Sequence, residues 1–477
     1  MKITLFINYF FSIGANMKNR CFLIGLVALG LILLSCNYGN SVNQPSDDKQ
    51  LHEDMQHDNN ESITILGEQL EDPYSVTTMK RAYSNLKLSN PDIPDIDIKS
   101  THYYIRFLPN SEEELELLID DTSLILSDIP HDFEIREQGN YYHDPELTET
   151  AITWQYCVVP VDKKLPDVYY EKLEDLYMPG ENDDEARGSL GGSQLSAKSS
   201  AFSYDILEDE ALRITGNEDE PESQNVTTVK RGALRKKWRP KGKICVYDDT
   251  KEKPVGLEGA VVRARRWHRT YKGTTDENGE YKCNGRFKRE ANYSIIWHRF
   301  HFSIRNHKSG QARLDGPKRK GDWNKNIKGG RAQYHATIFR AAHHYYYGGI
   351  KDLRRPPQNS STKPQMKIRA MWEELEEKDG HFLRQCRIFG VCSVIKIWKP
   401  KRKSSSIYST TIHELAHASH WRMHRQAFRN TRKVVAESWA RGVQYALTRM
   451  VYPNYELVYS RLRYTGIVED LIDGKKT

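Results

Sequence analysis

Apolar residues in this chain come in short runs broken by polar clusters, with one exception at 21–36, CFLIGLVALGLILLSC. That run follows Lys18 and Arg20 and falls short of the roughly 20 residues a spanning helix needs. A basic start, a short apolar stretch and a small residue before Cys36 predict a secretory signal over 1–36 rather than a transmembrane anchor, with Met17 as an alternative start. Residues 37–61 are polar and nearly free of large apolar groups, which predicts a disordered tether. From 62 to 180, helical spacing in YSVTTMKRAYSNLKL and SEEELELLI, and strand-like runs in THYYIRFLP, SLILSDIP and TWQYCVVP, predict a small α+β domain. Residues 181–235 are rich in Gly, Ser, Asp and Glu and read as a linker. Over 236–305, β-branched and aromatic runs alternate with turn clusters, and Asp276-Glu277-Asn278-Gly279 is a hairpin signal because Asn-Gly supplies positive φ angles. This predicts a β-sandwich. Residues 306–477 return to helical spacing around one good strand, VCSVIKIW, and predict a mainly α domain, so the whole reads as a multidomain chain.

The 477 residues are 38% hydrophobic and 28% charged, which suits several modest cores better than one large one. The net charge of +7 conceals a division: residues 37–225 hold about 42 acids and about 13 bases, residues 226–477 about 22 and about 55. Either both sets are solvated faces, or the acidic half lies against the basic one and narrows its cleft. Nucleic-acid binding ranks below both, because the basic residues are scattered and no recognition motif accompanies them. Apart from Cys21 and Cys36, five cysteines remain and none forms a CxxC pair. Cys245 with Cys283 and Cys386 with Cys392 are candidate disulfides that sequence alone does not establish.

The chemistry concentrates in YSTTIHELAHASHW, 408–421. Positions four apart on a helix share a face one turn apart, so His413 and His417 can grip one metal ion while Glu414 reaches a water beside it. A shuffled chain of this composition would contain such a motif in roughly one case in twenty, so the next helix matters: TRKVVAESWARGVQYALTRM carries Glu437, which completes a His2Glu set. His420 reads as a neighbour of the site or a surface residue, since a fourth ligand would leave Glu414 without a purpose. His343 and His344 read as a helix-terminal pair, Trp421 and Trp439 as packing residues. Tyr452, Tyr455, Tyr459 and His424 are candidate oxyanion donors among which spacing does not choose.

The arrangement resembles the gluzincin metallopeptidases over about 391–455. That resemblance implies zinc ligands at His413, His417 and Glu437, a general base at Glu414, and a preceding strand whose edge pairs with the substrate backbone. Met423 and His420 depart from the metzincin pattern, and Arg441 stands where the thermolysin branch has an acid. PV…GA.V…TDENGEY, carried by Pro254, Val255, Gly259, Ala260, Val261, Thr275, Asp276, Gly279 and Tyr281, is similar to carboxypeptidase regulatory-like domains, which are noncatalytic accessories. Leu33-Leu34-Ser35-Cys36 resembles a bacterial lipobox, implying lipidation at Cys36 and a place in the cell envelope. ILGEQLEDPYSVTTMKRAYSNL resembles the N-terminal region of uncharacterised bacterial lipoproteins. Together these imply a membrane-anchored zinc peptidase acting on peptides or proteins. The alternative is a noncatalytic cell-surface lipoprotein that binds peptide or glycan.

Overall fold

The computed structural model describes residues 63–179 (except 140, 149 and 150), 204–218, 237–306, 310–359, 365–372, 380–383, 395–398, 402–456, 468 and 471. The signal segment with Cys36, the tether, Tyr459, Cys386 and Cys392 lie outside these. The described residues form a mixed α and β structure of seven helices and several sheets, most strand pairs antiparallel. None of these helices is long and apolar enough to cross a membrane.

The N-terminal elements are β1 (Ile65–Gln69), α1 (Val76–Ser89), β2 (His102–Phe107), α2 (Glu112–Asp120), β3 (Phe133–Glu137), β4 (Gln155–Pro160), β5 (Tyr170–Leu176) and α3 (Tyr204–Ile214). Strand β2 is central in a three-stranded sheet between β4 and β5, while β1 and β3 form a separate ribbon. Ser75 and Ser111 cap α1 and α2, each accepting from a backbone N–H three residues on, as N-caps do. Helix α3 falls inside the stretch that composition marks as a linker. Its Tyr204, Leu207, Ala211 and Leu212 are buried against Tyr74, Met79 and Ala82. Apolar residues at helical spacing outweigh a polar average once a partner helix covers them.

Next come β6 (Lys241–Asp248), β7 (Lys253–Gly256), β8 (Val261–Arg266), β9 (Arg269–Thr274), β10 (Glu280–Lys282), β11 (Ala291–Ile296), β12 (His298–Arg299), β13 (Phe302–Arg305), β14 (Arg313–Arg319) and β15 (Lys325–Ile327). Strands β6, β7, β10 and β15 make one four-stranded sheet and β8, β9, β11 and β14 another. Ile244, Val246, Val262, Ala264, Tyr293 and Ile295 belong to their shared core. Gly279 sits at φ +82°, where a Cβ would collide with the Ile244 carbonyl. Asp276 accepts from the N–H groups of Asn278 and Glu280 and closes that turn. The sheets do not stop at 305: β14 and β15 pair back into them, while β12 and β13 leave for the next unit. Cys245 and Cys283 are free. Cys283 lies opposite Pro240, five residues from Cys245 along β6, a separation of about 16 Å that no disulfide spans.

The C-terminal part, expected to be mainly helical, is built on a five-stranded sheet ordered β12-β13-β16-β18-β17, with β16 (Met366–Ala370), β17 (Gly380–Phe382) and β18 (Ile395–Ile397). Strands β13, β16 and β18 are parallel and β17 is antiparallel to β18. Strands of three to five residues are too short for alternation to reveal them. Helices α4 (Gly330–Tyr347), α5 (Ser404–Met423), α6 (Arg425–Asn430) and α7 (Lys433–Val451) complete the unit. Phe302, Ile304, Met366 and Ile368 bury on the helical side of the sheet. Arg305, Lys367 and Arg369 alternate with them and meet α2 instead, where Arg305 (3.1 Å) and Lys367 share Glu116 and Arg369 takes Glu112. Arg269 with Glu208, His268 with Asp72 and Arg313 with Asp128 extend the same charge pairing. The acidic and basic halves therefore meet through these residues, but away from the helical cleft. Among the described residues that cleft is lined only from 250–251 and 380–456.

Candidate metal centre

Helix α5 has no side-chain N-cap of its own; Asp249 and Thr250, in the turn between β6 and β7, accept from the N–H groups of Ser404 (2.6 Å) and Ser405 (3.1 Å). Its Ile407, Ile412, Leu415, Ala416 and Ala418 are buried, so the helix is fixed nearly all round and its polar residues face what packing leaves open. Helix α7 packs beside it through buried Ala440, Val443 and Leu447.

This packing brings Glu437 to the histidine pair. His413 Nε2 lies 3.1 Å from His417 Nε2 and 3.3 Å from Glu437 Oε2, and His417 Nε2 lies 3.6 Å from Glu437 Oε1. Ligand atoms at tetrahedral corners about 2.0–2.1 Å from zinc stand about 3.3–3.4 Å apart, and the three distances bracket that value. Three such lone-pair atoms repel unless a cation sits among them, a proton or a metal ion. Burial, the largest single influence, pulls His413 down, but the bond to Glu437, the charges of Glu414 and Glu437 and the bond to Gln444 together outweigh it and raise it. Burial alone would raise Glu437, yet the two imidazoles hold it far below the carboxylate range. The group is a candidate metal centre, which on taking an ion in place of the proton would offer one carboxylate and two neutral imidazoles.

Glu414 is buried at 5% exposure, and burial raises its carboxyl. The backbone N–H of Phe382 on β17 donates to it, and a Cβ on Gly380 would lie 2.7 Å from its Oε1. Among the described residues, the sheet edge beside the site is β17. Strand β18, within the run that sequence marked as the best strand, is interior to the sheet, with β16 on one side and β17 on the other.

Sequence reading missed Gln444. Its Oε1 accepts from His413 Nδ1 at 3.0 Å, turning that ring's Nε2 lone pair toward His417 and Glu437, and its Nε2 donates to Tyr455 at 2.9 Å. The signal was available: Gln444 lies seven residues after Glu437, two turns on along the same face of α7, one turn beyond Arg441.

Tyr452 and Tyr455 both line the cleft, of roughly 1250 Å³. Tyr452 donates to Asp248 at 2.7 Å, which also takes Arg340 at 3.0 Å, so its proton is already used in a buried pair. Tyr455 receives Gln444 and also hydrogen-bonds Ser409, but it is not tied to a buried carboxylate, making it the less committed donor of the two. His424 instead caps α6, accepting from Ala427. His420 lies edge-on to Phe428 and near Trp439 rather than joining the donor atoms, and burial pushes it down to about 4. Trp421 is buried against Phe382 and Trp439 packs on the core. His344 bonds Tyr408 and the Gly349 carbonyl, and His343 stacks on Phe339 and Tyr347.

No family model and no curated protein matches this chain. Among solved structures, a 9R-lipoxygenase from Cyanothece is similar at 12% identity over 52% of this chain and 32% of that one, with a TM-score of 0.14. A likeness of that size carries no argument about fold or activity.

Proposed function

We propose that the chain is a zinc-dependent peptidase, lipid-anchored in the cell envelope through Cys36, with the sandwich and the N-terminal α+β unit as accessory parts. The observation that supports it is the meeting of two imidazole Nε2 atoms and a carboxylate within 4.8 Å, beside a buried carboxylate on the same helix and an edge strand in one cleft. His413, His417 and Glu437 would hold the ion. Bound there, zinc would supply Lewis acidity, making water more acidic and a carbonyl more electrophilic. Glu414 accepts the proton of the attacking water and delivers it to the leaving amine; its raised pKa brings it toward the range a base-then-acid needs. The edge of β17 aligns an extended peptide, and Tyr455 donates to the developing oxyanion.

Metal analysis of the purified protein combined with digestion of a peptide library tests this. His417→Ala should lose zinc, whereas Glu414→Gln should keep it and lose about 10²- to 10⁴-fold in kcat. Full zinc retention by His417→Ala would refute the ligand set. A zinc-loaded wild type that cleaves nothing but retains peptides would replace catalysis with binding.

A further inference from the structure

A second cavity, of about 360 Å³, lies where the N-terminal elements, the sandwich strands and α4 meet, and shares no lining residue with the metal-centre cleft. Strands β8 and β9 place Arg263 directly opposite Lys272, and both side chains line the cavity. Like charges directly opposed on neighbouring strands destabilise a sheet unless something neutralises them. Arg313 has its acids in Asp128 and Asp315; Asp120 and Asp128 also line the cavity and the Asp128 charge reaches Arg263, but among the described residues neither acid forms an ion pair with Arg263 or Lys272. Arg263 Nη1 donates to the Leu126 carbonyl at 3.0 Å, while its buried Nε has no partner. Arg299 and His298 add to the same wall. Gly329, the N-cap, and Gly330, the first residue of the 18-residue helix α4, line the cavity; the Gly329 N–H donates to Gln333 Oε1 at 2.6 Å, and the N-cap residue itself offers no side chain to the N–H groups that follow. Backbone N–H groups at such a terminus favour negative charge.

We propose that this cavity binds a small molecule through a phosphate or sulfate group, held between Arg263, Lys272 and the first turn of α4. The volume exceeds what a bare oxyanion fills and sits at the small end of ligand pockets, and Tyr142, Phe300 and Ile296 supply apolar wall for the rest of the ligand. The electrostatics agree: burial, then Arg263, push Lys272 down to about 8, and burial followed by Arg263 and Lys272 pushes His298 down to about 3. An anion relieves that repulsion and ties three parts of the chain together. The inference is independent of the peptidase reading.

The test is thermal unfolding and titration calorimetry of the full-length protein with inorganic phosphate and with glucose 6-phosphate, against chloride at equal ionic strength and glucose alone. At 20 mM, phosphate should raise the melting temperature by about 2 °C or more. Tighter binding of the sugar phosphate would show that the apolar wall takes part. Lys272→Gln should abolish the response yet melt no lower than wild type in chloride, because it removes a repulsive charge; Lys272→Arg should keep the response. Arg299→Gln, on the same wall, should weaken it. No gain for wild type with either phosphate, an equal gain in Lys272→Gln, or a lower melting temperature of that variant in chloride would each overturn the site.

Discussion

Replacing Gln444 by Met keeps the length and apolar bulk of the side chain but removes the acceptor 3.0 Å from His413 Nδ1. A buried imidazole N–H left without a partner costs about 1–3 kcal/mol. The same loss frees the ring to turn, and removing a hydrogen-bond partner of a metal-binding histidine typically weakens metal affinity by about 10- to 100-fold. These agree, since 10- to 100-fold corresponds to about 1.4–2.8 kcal/mol. Gln444→Met should therefore weaken zinc binding by that factor in competition with a chromogenic chelator. Gln444→Glu, which restores an acceptor, should bind within about threefold of wild type or tighter, because a carboxylate accepts more strongly. Tyr455→Phe should give a smaller loss by releasing the other end of the Gln444 amide. The melting temperature of each chelated variant separates this effect from general unfolding. A zinc affinity of Gln444→Met within twofold of wild type, with the fold intact, would refute the claim that Gln444 orients His413.

Glu116→Ala should cost about 3–5 kcal/mol in denaturant unfolding, because Arg305 and Lys367 would be left buried and unpaired; an effect below 1 kcal/mol would show that the pairing is not what holds α2 to the sheet. Gly380→Ala should lower kcat more than zinc affinity, since its Cβ would press on Glu414 Oε1 rather than on a ligand; unchanged turnover would remove β17 from the chemistry. His343, with Glu258 at 3.9 Å and Arg299 and His344 as its charged or titratable neighbours, is held down to about 4 chiefly by burial. It is neutral in the fold while the unfolded chain takes up a proton below about 6.5, so its contribution is lost as pH falls from about 6.5 toward 4, on the order of 2 kcal/mol between pH 7 and 5. His343→Phe should flatten the pH dependence of stability by that amount, and an unchanged slope would contradict the assignment.

What was legible in the residues alone is what lies within one or two turns of itself. The one-turn spacing of His413 and His417, the Asn278-Gly279 turn and the helices that became α1 and α2 follow from backbone rotation per residue and from short-range hydrogen bonds, which no distant contact need supply. The acid on the following helix could be named, but bringing Glu437 to 3.3 Å from His413 depended on the packing of α7 against α5. The same holds for Gln444, for the three-residue edge β17, and for Asp249, which caps α5 from 155 positions away. Helix α3 was hidden because composition averages over a segment while burial selects one face of it. The charge division showed that the halves have opposite signs; only the stacking of α2 on β13 and β16 decided that they meet on the far face of the sheet. Alternation along β13 and β16 puts charge on one face and apolar groups on the other, and which face finds helices and which finds Glu116 is a property of the neighbours, not of the strand.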